Sequence, residues 1–456
     1  MNPPRTDRGR LLLILALAAA VIAFTATVPL LRDWFDLRVY HGAVNTWIHH
    51  GGRLYDYRVP GTAYGFTYPP FAAVSMLPMA LVGLRTAIVG SVLLNLAALA
   101  LILHILTDGA WRRYGWFGCA LGACLLALFE PLRDTFSFGQ VNLLLLALVL
   151  TDAWLLSTGR ERRAGVGIGL AAAIKLTPAV FIGLLLLARR RRAAAVASAV
   201  TAAATAFAAL VAPDASRFYW TEALWDTSRV GRLDYVSNQS LQGILARLGD
   251  TQRTAWAAAV LVVLGVWVWR TRRALAAGDW PAAFALTGVT ACLVSPITWV
   301  HHLVWLLPAF AVLVRTGHAR VAGALYAVLC TSVVWLWFHD ASGVDGFLGS
   351  NTYTWITLGL LLWLPAGQLR ADNLPLRRSS SATAPAPSRA APEMMPAAGH
   401  PGPPSGATAT GVGRGAATGA ACGPGRGLNR SASSEPTGST RPAASNPQSS
   451  SRRASS

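Results

Sequence analysis

Apolar runs, rather than alternating positions, set the pattern of the first 370 residues. They lie near 11–31, 86–107, 115–130, 139–157, 164–188, 193–212, 254–270, 281–295, 303–315, 320–338 and 353–370, with the charges gathered between them. The first, Leu11 to Leu31, would span roughly 30 Å as a helix, the thickness of a bilayer core. It follows Arg5, Arg8 and Arg10 and ends at Pro29-Leu30-Leu31-Arg32 without a small-x-small cleavage site, so it reads as a retained helix with a cytoplasmic N-terminus. The run 164–188 is awkward: Arg160, Arg162 and Arg163 precede it, Arg189 to Arg192 follow it, and both clusters favour the cytoplasm. It satisfies them only as two short helices turning at Lys175-Leu176-Thr177-Pro178, where proline and its predecessor resist helix continuation. The pattern predicts an all-α polytopic membrane protein with about twelve transmembrane helices and both termini cytoplasmic. Tyr68 to Leu84 is left outside as a short membrane-dipping or surface-lying helix.

Composition supports this class. Of 456 residues, 54% are hydrophobic and only 13% charged, where a soluble protein carries about a quarter charged. A water-soluble enzyme is excluded. The net charge of +19 forms no single basic patch, so no nucleic-acid partner is expected. Predicted inner ends and loops (1–10, 108–114, 158–163, 189–192, 270–280, 315–320) hold 17 arginines against four acids; the outer segments (32–85, 130–138, 213–253, 339–352) hold 11 against 12. That asymmetry has the sign expected of a multi-pass protein of the cell membrane. The five cysteines form no CxxC pair, which leaves no thiolate zinc site. After Leu369 the chain turns to Ser, Ala, Pro, Gly, Thr and Arg. The expected organisation is a transmembrane domain over 1–370, with outer loops near 32–85 and 213–253, and a disordered basic cytoplasmic tail over 371–456 that could touch membrane lipids.

Chemistry is expected in the outer segments, which are long and rich in aromatic, amide and charged residues. There is no GxxxxGK[ST] loop, so an activated substrate has to arrive in the membrane. Asp36 lies just past the first helix, placed for a general base at the lipid–water boundary; a surface pair with Arg38 or Arg32 is the plainer alternative, and Asp33 competes with it. Lys175 is the single lysine beside 38 arginines. At the tip of a hairpin it could meet a lipid phosphate or merely snorkel. His301 and His302 are about 100° apart on a helix, so at most one faces a given site; an interfacial pair beside Trp299 and Trp305 is the alternative. Gln140, Asn142, Asn238 and Gln239 suit sugar hydroxyls and suit helix capping equally well. No metal and no cofactor is expected.

The stretches Asp36-Leu37-Arg38-Val39-Tyr40, Gly52-Arg53-Leu54-Tyr55 and Phe66-Thr67-Tyr68-Pro69-Pro70 come first in order. Phe138-Gly139-Gln140-Val141-Asn142, Ala173-Ile174-Lys175-Leu176-Thr177-Pro178, Asn238-Gln239-Ser240-Leu241 and Ser295-Pro296-Ile297-Thr298-Trp299-Val300-His301-His302 follow. Together they resemble glycosyltransferase family 87, polyprenol-phosphate-mannose-dependent α-mannosyltransferases of GT-C architecture, over residues 10 to 370. The resemblance implies a hexosyltransferase that moves a sugar, mannose foremost, from a polyprenyl-phosphate donor to a lipid-linked or cell-wall glycan acceptor with inversion, at the outer face. It implies Asp36 as the catalytic base and Lys175, His301 and His302 at the donor phosphate. Arg38, Tyr40, Tyr68, Gln140, Asn142, Asn238 and Gln239 are then the substrate-binding set. Another lipid-linked sugar transferase, such as an arabinofuranosyltransferase, and a non-catalytic lipid or glycan transporter are the competing readings.

Overall fold

A computed structural model describes residues 6–27, 33–109, 115–249 and 253–367. Within them the chain is helical; an isolated antiparallel bridge, Arg58 with Gly65, stands in place of any strand. Four helices are long and apolar enough to cross a bilayer: α1 (Asp7–Thr27), α4 (Leu84–Leu106), α10 (Arg191–Val211) and α13 (Arg253–Ala276), the intervening numbers belonging to helices described below. Each turns large apolar side chains outward, Leu12, Leu93, Leu210 and Leu261 among them. Outside a membrane such surfaces would be aggregation sites. The pair α5 (Gly115–Leu128) and α6 (Glu130–Phe138), bent by 77°, would make a fifth span. The other apolar helices are shorter, so the protein is a polytopic membrane protein with four to five spans evident by length alone.

Two expectations about individual segments change. The segment 130–138, expected as an outer loop, is the buried helix α6. Phe129 is extended and Pro131 sits in the first turn, which breaks the chain direction, and the Glu130 carboxylate accepts from Trp335 Nε1 (2.6 Å) and the Tyr353 hydroxyl (2.5 Å). Hydrogen bonding makes its burial tolerable. The run 320–338 is also not one helix: it is α16 (Ala319–Cys330), a left-handed Ser332, and a 3₁₀ turn over Val333–Trp337.

The centre of the bundle is α14 (Trp280–Val294), buried on all sides from Ala282 to Leu293. A helix apolar all round belongs in such a place. Packed around it are α7 (Asn142–Ser157), α9 (Val180–Leu187), α13, α15 (Leu307–Arg315) and α18 (Thr352–Trp363), with α17 (Gly343–Ser350) before α18, while α8 (Val166–Ile174) packs on α7 and α10. A second, smaller core joins α2 (Phe35–His49), the loop Leu54–Phe66, α3 (Pro70–Ser75) and Tyr219 of α11 (Pro213–Thr221), through Leu37, Tyr40, Val44, Tyr55 and Phe66. Helix α12 (Leu241–Arg247) starts on Ser240, whose hydroxyl caps Gly243 N–H. The predicted tail, 371–456, lies outside the described residues.

Candidate active site

The run 164–188 folds back on itself. Its two ends meet, Arg190 donating to Glu161, and Lys175 stands at the far tip. Helix α8 can pack this closely because it is lined with glycine. A Cβ at Gly167 would fall 2.2 Å from the Leu148 carbonyl on α7, and one at Gly169 2.6 Å from the Ala197 carbonyl on α10. At Lys175 the backbone becomes extended, and Pro178 sets the next turn. Helix α2 begins beside α6: Trp34 N–H donates to the Ser137 carbonyl at 2.9 Å. Gly139 ends α6 at φ +71°, and a Cβ there would lie 2.6 Å from Leu37 Cβ. Glycine is required on both counts. The close approach places Gln140 against Asp36.

These segments, with the turn Val300–Leu306, build one hydrogen-bonded chain. Gln140 Nε2 donates to Asp36 Oδ2 at 2.6 Å, while Gln140 Oε1 accepts from the Tyr68 hydroxyl at 2.9 Å. Tyr40 donates to the Tyr68 hydroxyl at 3.0 Å. Lys175 Nζ donates to Asn142 Oδ1 at 3.1 Å and to the Tyr68 hydroxyl at 3.4 Å, and shares a 2.7 Å hydrogen bond with His302 Nε2. The His302 ring is held from its other side, Nδ1 accepting the Trp299 N–H at 3.1 Å. A cavity of about 350 Å³ opens onto Asp36, Tyr40, Tyr68, Gln140, Lys175 and His302. Its wall also carries the aromatic and apolar side chains of Phe35, Leu224, Val294 and Trp299. Burial raises the Asp36 carboxyl to about 6, against the lowering effects of the Gln140 hydrogen bond and the Lys175 charge. A carboxylate at about 6 is a stronger base than an exposed one and is still ionised at neutral pH.

The geometry separates alternatives that the sequence leaves open. Asp33 is exposed and pairs with Arg38 at 2.7 Å, so it is Asp33, not Asp36, that makes the surface pair. Arg38 is thereby turned away and is not part of the cavity wall. His301, 3% exposed, packs edge-on against Phe138, 5.2 Å between ring centres, while His302 faces the cavity. Asn142 lies behind Lys175, lining a small recess with it. Asn238 and Gln239 do not reach the cavity. Asn238 takes the Thr298 N–H and donates to the Leu233 and Pro296 carbonyls; Gln239 takes the Thr354 N–H and hydroxyl and donates to the Ser350 carbonyl. Both amides hold segments together. Tyr64, Asp226 and Arg229 line the wall without having stood out in the sequence, because polar residues of this kind outside the long helices carry no spacing signal.

A larger cavity, about 850 Å³, sits among α4, α7, α14 and α15, at the other ends of α7 and α14. Both of its carboxylates are paired, Glu161 with Arg190 and Asp108 with Arg315 at 2.7 Å, which leaves none placed as a base. Among the described residues no three His, Cys, Asp or Glu side chains are grouped to hold a metal ion.

Comparison with known proteins agrees with the motifs. The profile of glycosyltransferase family 87 matches residues 66–296. A polyprenol-phosphate-mannose-dependent alpha-(1-2)-phosphatidylinositol mannoside mannosyltransferase of Mycobacterium tuberculosis is 33% identical over 319 residues, 66% of this chain and 74% of that protein. A polyprenol-phosphate-mannose-dependent alpha-(1-2)-phosphatidylinositol pentamannoside mannosyltransferase of the same species is 34% identical over 353 residues, 73% of this chain and 80% of that protein. A Mycolicibacterium smegmatis protein with the first of these names is 34% identical, over 62% of this chain and 70% of its own. No solved structure matches.

Proposed function

The chain belongs to glycosyltransferase family 87, and from that premise we propose a membrane mannosyltransferase that takes mannose from a polyprenyl-phosphate carrier and delivers it to a lipid-linked mannoside. The observation that carries the site assignment is the one cavity wall shared by the Asp36 carboxylate and the Lys175–His302 pair. In the reaction, the acceptor oxygen bonds to the anomeric carbon while the bond from that carbon to the phosphate oxygen breaks. Asp36 takes the acceptor's hydroxyl proton. The bond's electrons leave with the polyprenyl phosphate, which gains a negative charge beside Lys175, with His302 steadying the amine. One base opposite one leaving group gives inversion. Tyr40, Tyr68 and Gln140 line the cavity where the sugar is placed, and burial pushes both phenols above their usual range, so they stay neutral.

Membranes carrying the protein should consume labelled polyprenyl-phosphate mannose only when a mannoside acceptor is added. The rate should climb as pH rises through about 6, because the base works only when ionised and its carboxyl titrates there. A rate flat from pH 5 to 8 in the chemical step would remove Asp36 from the base role.

The proposed topology has twelve crossings, the cavity on the outer face, a transferase domain over 1–370 and a solvated cytoplasmic tail over 371–456. The arginine asymmetry supports it. In a background with the exposed Cys119 replaced by serine, Ser342→Cys should react with a membrane-impermeant thiol reagent on intact cells and Ser379→Cys should not. Labelling of the second from outside reverses the assignment.

A further inference from the structure

Arg229 puts another charge on the cavity wall, and Arg58 shares its acceptor without lining the cavity; both lie on elements that the reaction scheme leaves unused. Arg58 lies in the bridge with Gly65, and Arg229 closes the 3₁₀ turn Thr227–Arg229. Their guanidiniums converge on one atom: Arg58 Nη1 donates to the Tyr55 carbonyl at 2.8 Å and Arg229 Nη2 donates to the same carbonyl at 2.6 Å. Arg58 also reaches the Tyr57 carbonyl at 3.0 Å. The Arg229 guanidinium is 5.2 Å from the Phe218 ring centre, and its Nε is enclosed without a hydrogen-bond partner. Neither arginine forms an ion pair among the described residues. Asp226, on the same wall, spends Oδ1 on the Ser228 N–H at 3.1 Å and hydroxyl at 2.5 Å. Burial, and then the charge on Arg58, lower the hold of Arg229 on its proton, against the opposing charges of Asp226 and Asp56 nearby. An arginine that serves only to brace a loop needs neither a second guanidinium on its acceptor nor a place in a substrate cavity. Two forked cations with one neutral oxygen between them match a phosphate, which offers several oxygens and a negative charge.

We propose that Arg229 and Arg58 form an anion subsite that holds the phosphodiester of the acceptor lipid. The inference rests on the transferase reading and extends it. The donor's phosphate is bonded directly to the transferred sugar, so it belongs beside the reacting carbon, within reach of Lys175. An acceptor's phosphate is separated from its reacting hydroxyl by the rest of the headgroup, and needs a cation elsewhere on the wall. The acceptor class is thereby a phospholipid-linked mannoside rather than a neutral glycan.

The test gives the protein two acceptors, a phosphatidylinositol mannoside and an alkyl α-mannoside without phosphate. Arg229→Gln should raise the KM of the phospholipid about tenfold, the loss of one charge-assisted hydrogen bond. The KM values of the alkyl mannoside and of the polyprenyl-phosphate mannose should stay where they are, and Arg229→Lys should recover part of the loss. Equal losses on both acceptors, or a loss confined to the donor, overturn the proposal. A second measurement needs no turnover: glycerophosphoinositol should raise the melting temperature of the wild-type protein and not that of Arg229→Gln, and inorganic phosphate at the same concentration should not. Equal stabilisation by inorganic phosphate would make this a general anion site and sink the acceptor assignment. If wild type transfers to neither acceptor but keeps the Arg229-dependent stabilisation, the subsite stands and the transferase reading falls.

Discussion

Asp36→Asn is expected to reduce transfer by about 10²- to 10⁴-fold, the usual worth of a general base, with the protein still folded and inserted. The amide is nearly the size of the carboxylate, and its oxygen can still accept from Gln140 Nε2, the 2.6 Å contact that fixes the side chain. What it cannot do is take the acceptor's proton. The KM of either substrate should move far less than kcat, since the loss is felt in the transition state. Asp33→Asn is the matched control. Asp33 is exposed and paired with Arg38, an interaction of about 0–1 kcal/mol, and its replacement should leave the rate near wild type. A dead Asp33 variant beside an active Asp36 variant would mean that the surface carboxylate is the base and that the buried network only braces the loop.

Lys175→Met is expected to raise the KM of the lipid donor by roughly 10- to 150-fold, matching about 1.5–3 kcal/mol for a charge-assisted hydrogen bond to phosphate. The acceptor's KM should change little. Methionine follows the same path across the Tyr68 ring, where Nζ lies 5.1 Å from the ring centre; it removes a buried charge but leaves Asn142 Oδ1 without its donor, a cost of about 1–3 kcal/mol, so the KM is read on correctly inserted protein. Lys175→Arg should be imperfect too. The recess behind the amine measures about 10 Å³, too small for a planar fork, and Asn142 and His302 already bracket the point charge at 3.1 and 2.7 Å. Donor kinetics unchanged in Lys175→Met, with Asp36→Asn inactive, would move the donor phosphate to Arg229 and Arg58 and take the acceptor proposal down with it. The two variants together therefore test the division of the cavity into two phosphate sites.

The sequence by itself determined the class of the molecule, because burial in lipid is written in runs of apolar residues whatever their contacts. It marked α1, α4, α10 and α13, the turn at Lys175 through its proline and flanking arginines, and the motifs that carry the family. What it left open were choices between near neighbours: Asp33 or Asp36, His301 or His302, amides on the sugar or amides on the backbone. Those depend on which way a side chain points, and that direction is set by partners about 100 residues away. Gln140 selects Asp36 across 104 positions, and Lys175 selects His302 across 127. Helix α6 was invisible as a buried element for the same reason, since Glu130 is tolerable there only through Trp335 and Tyr353, more than 200 positions on. Local composition fixes where the chain enters an apolar medium, but the pairing of buried polar groups is a long-range property, and only the tertiary structure decided it.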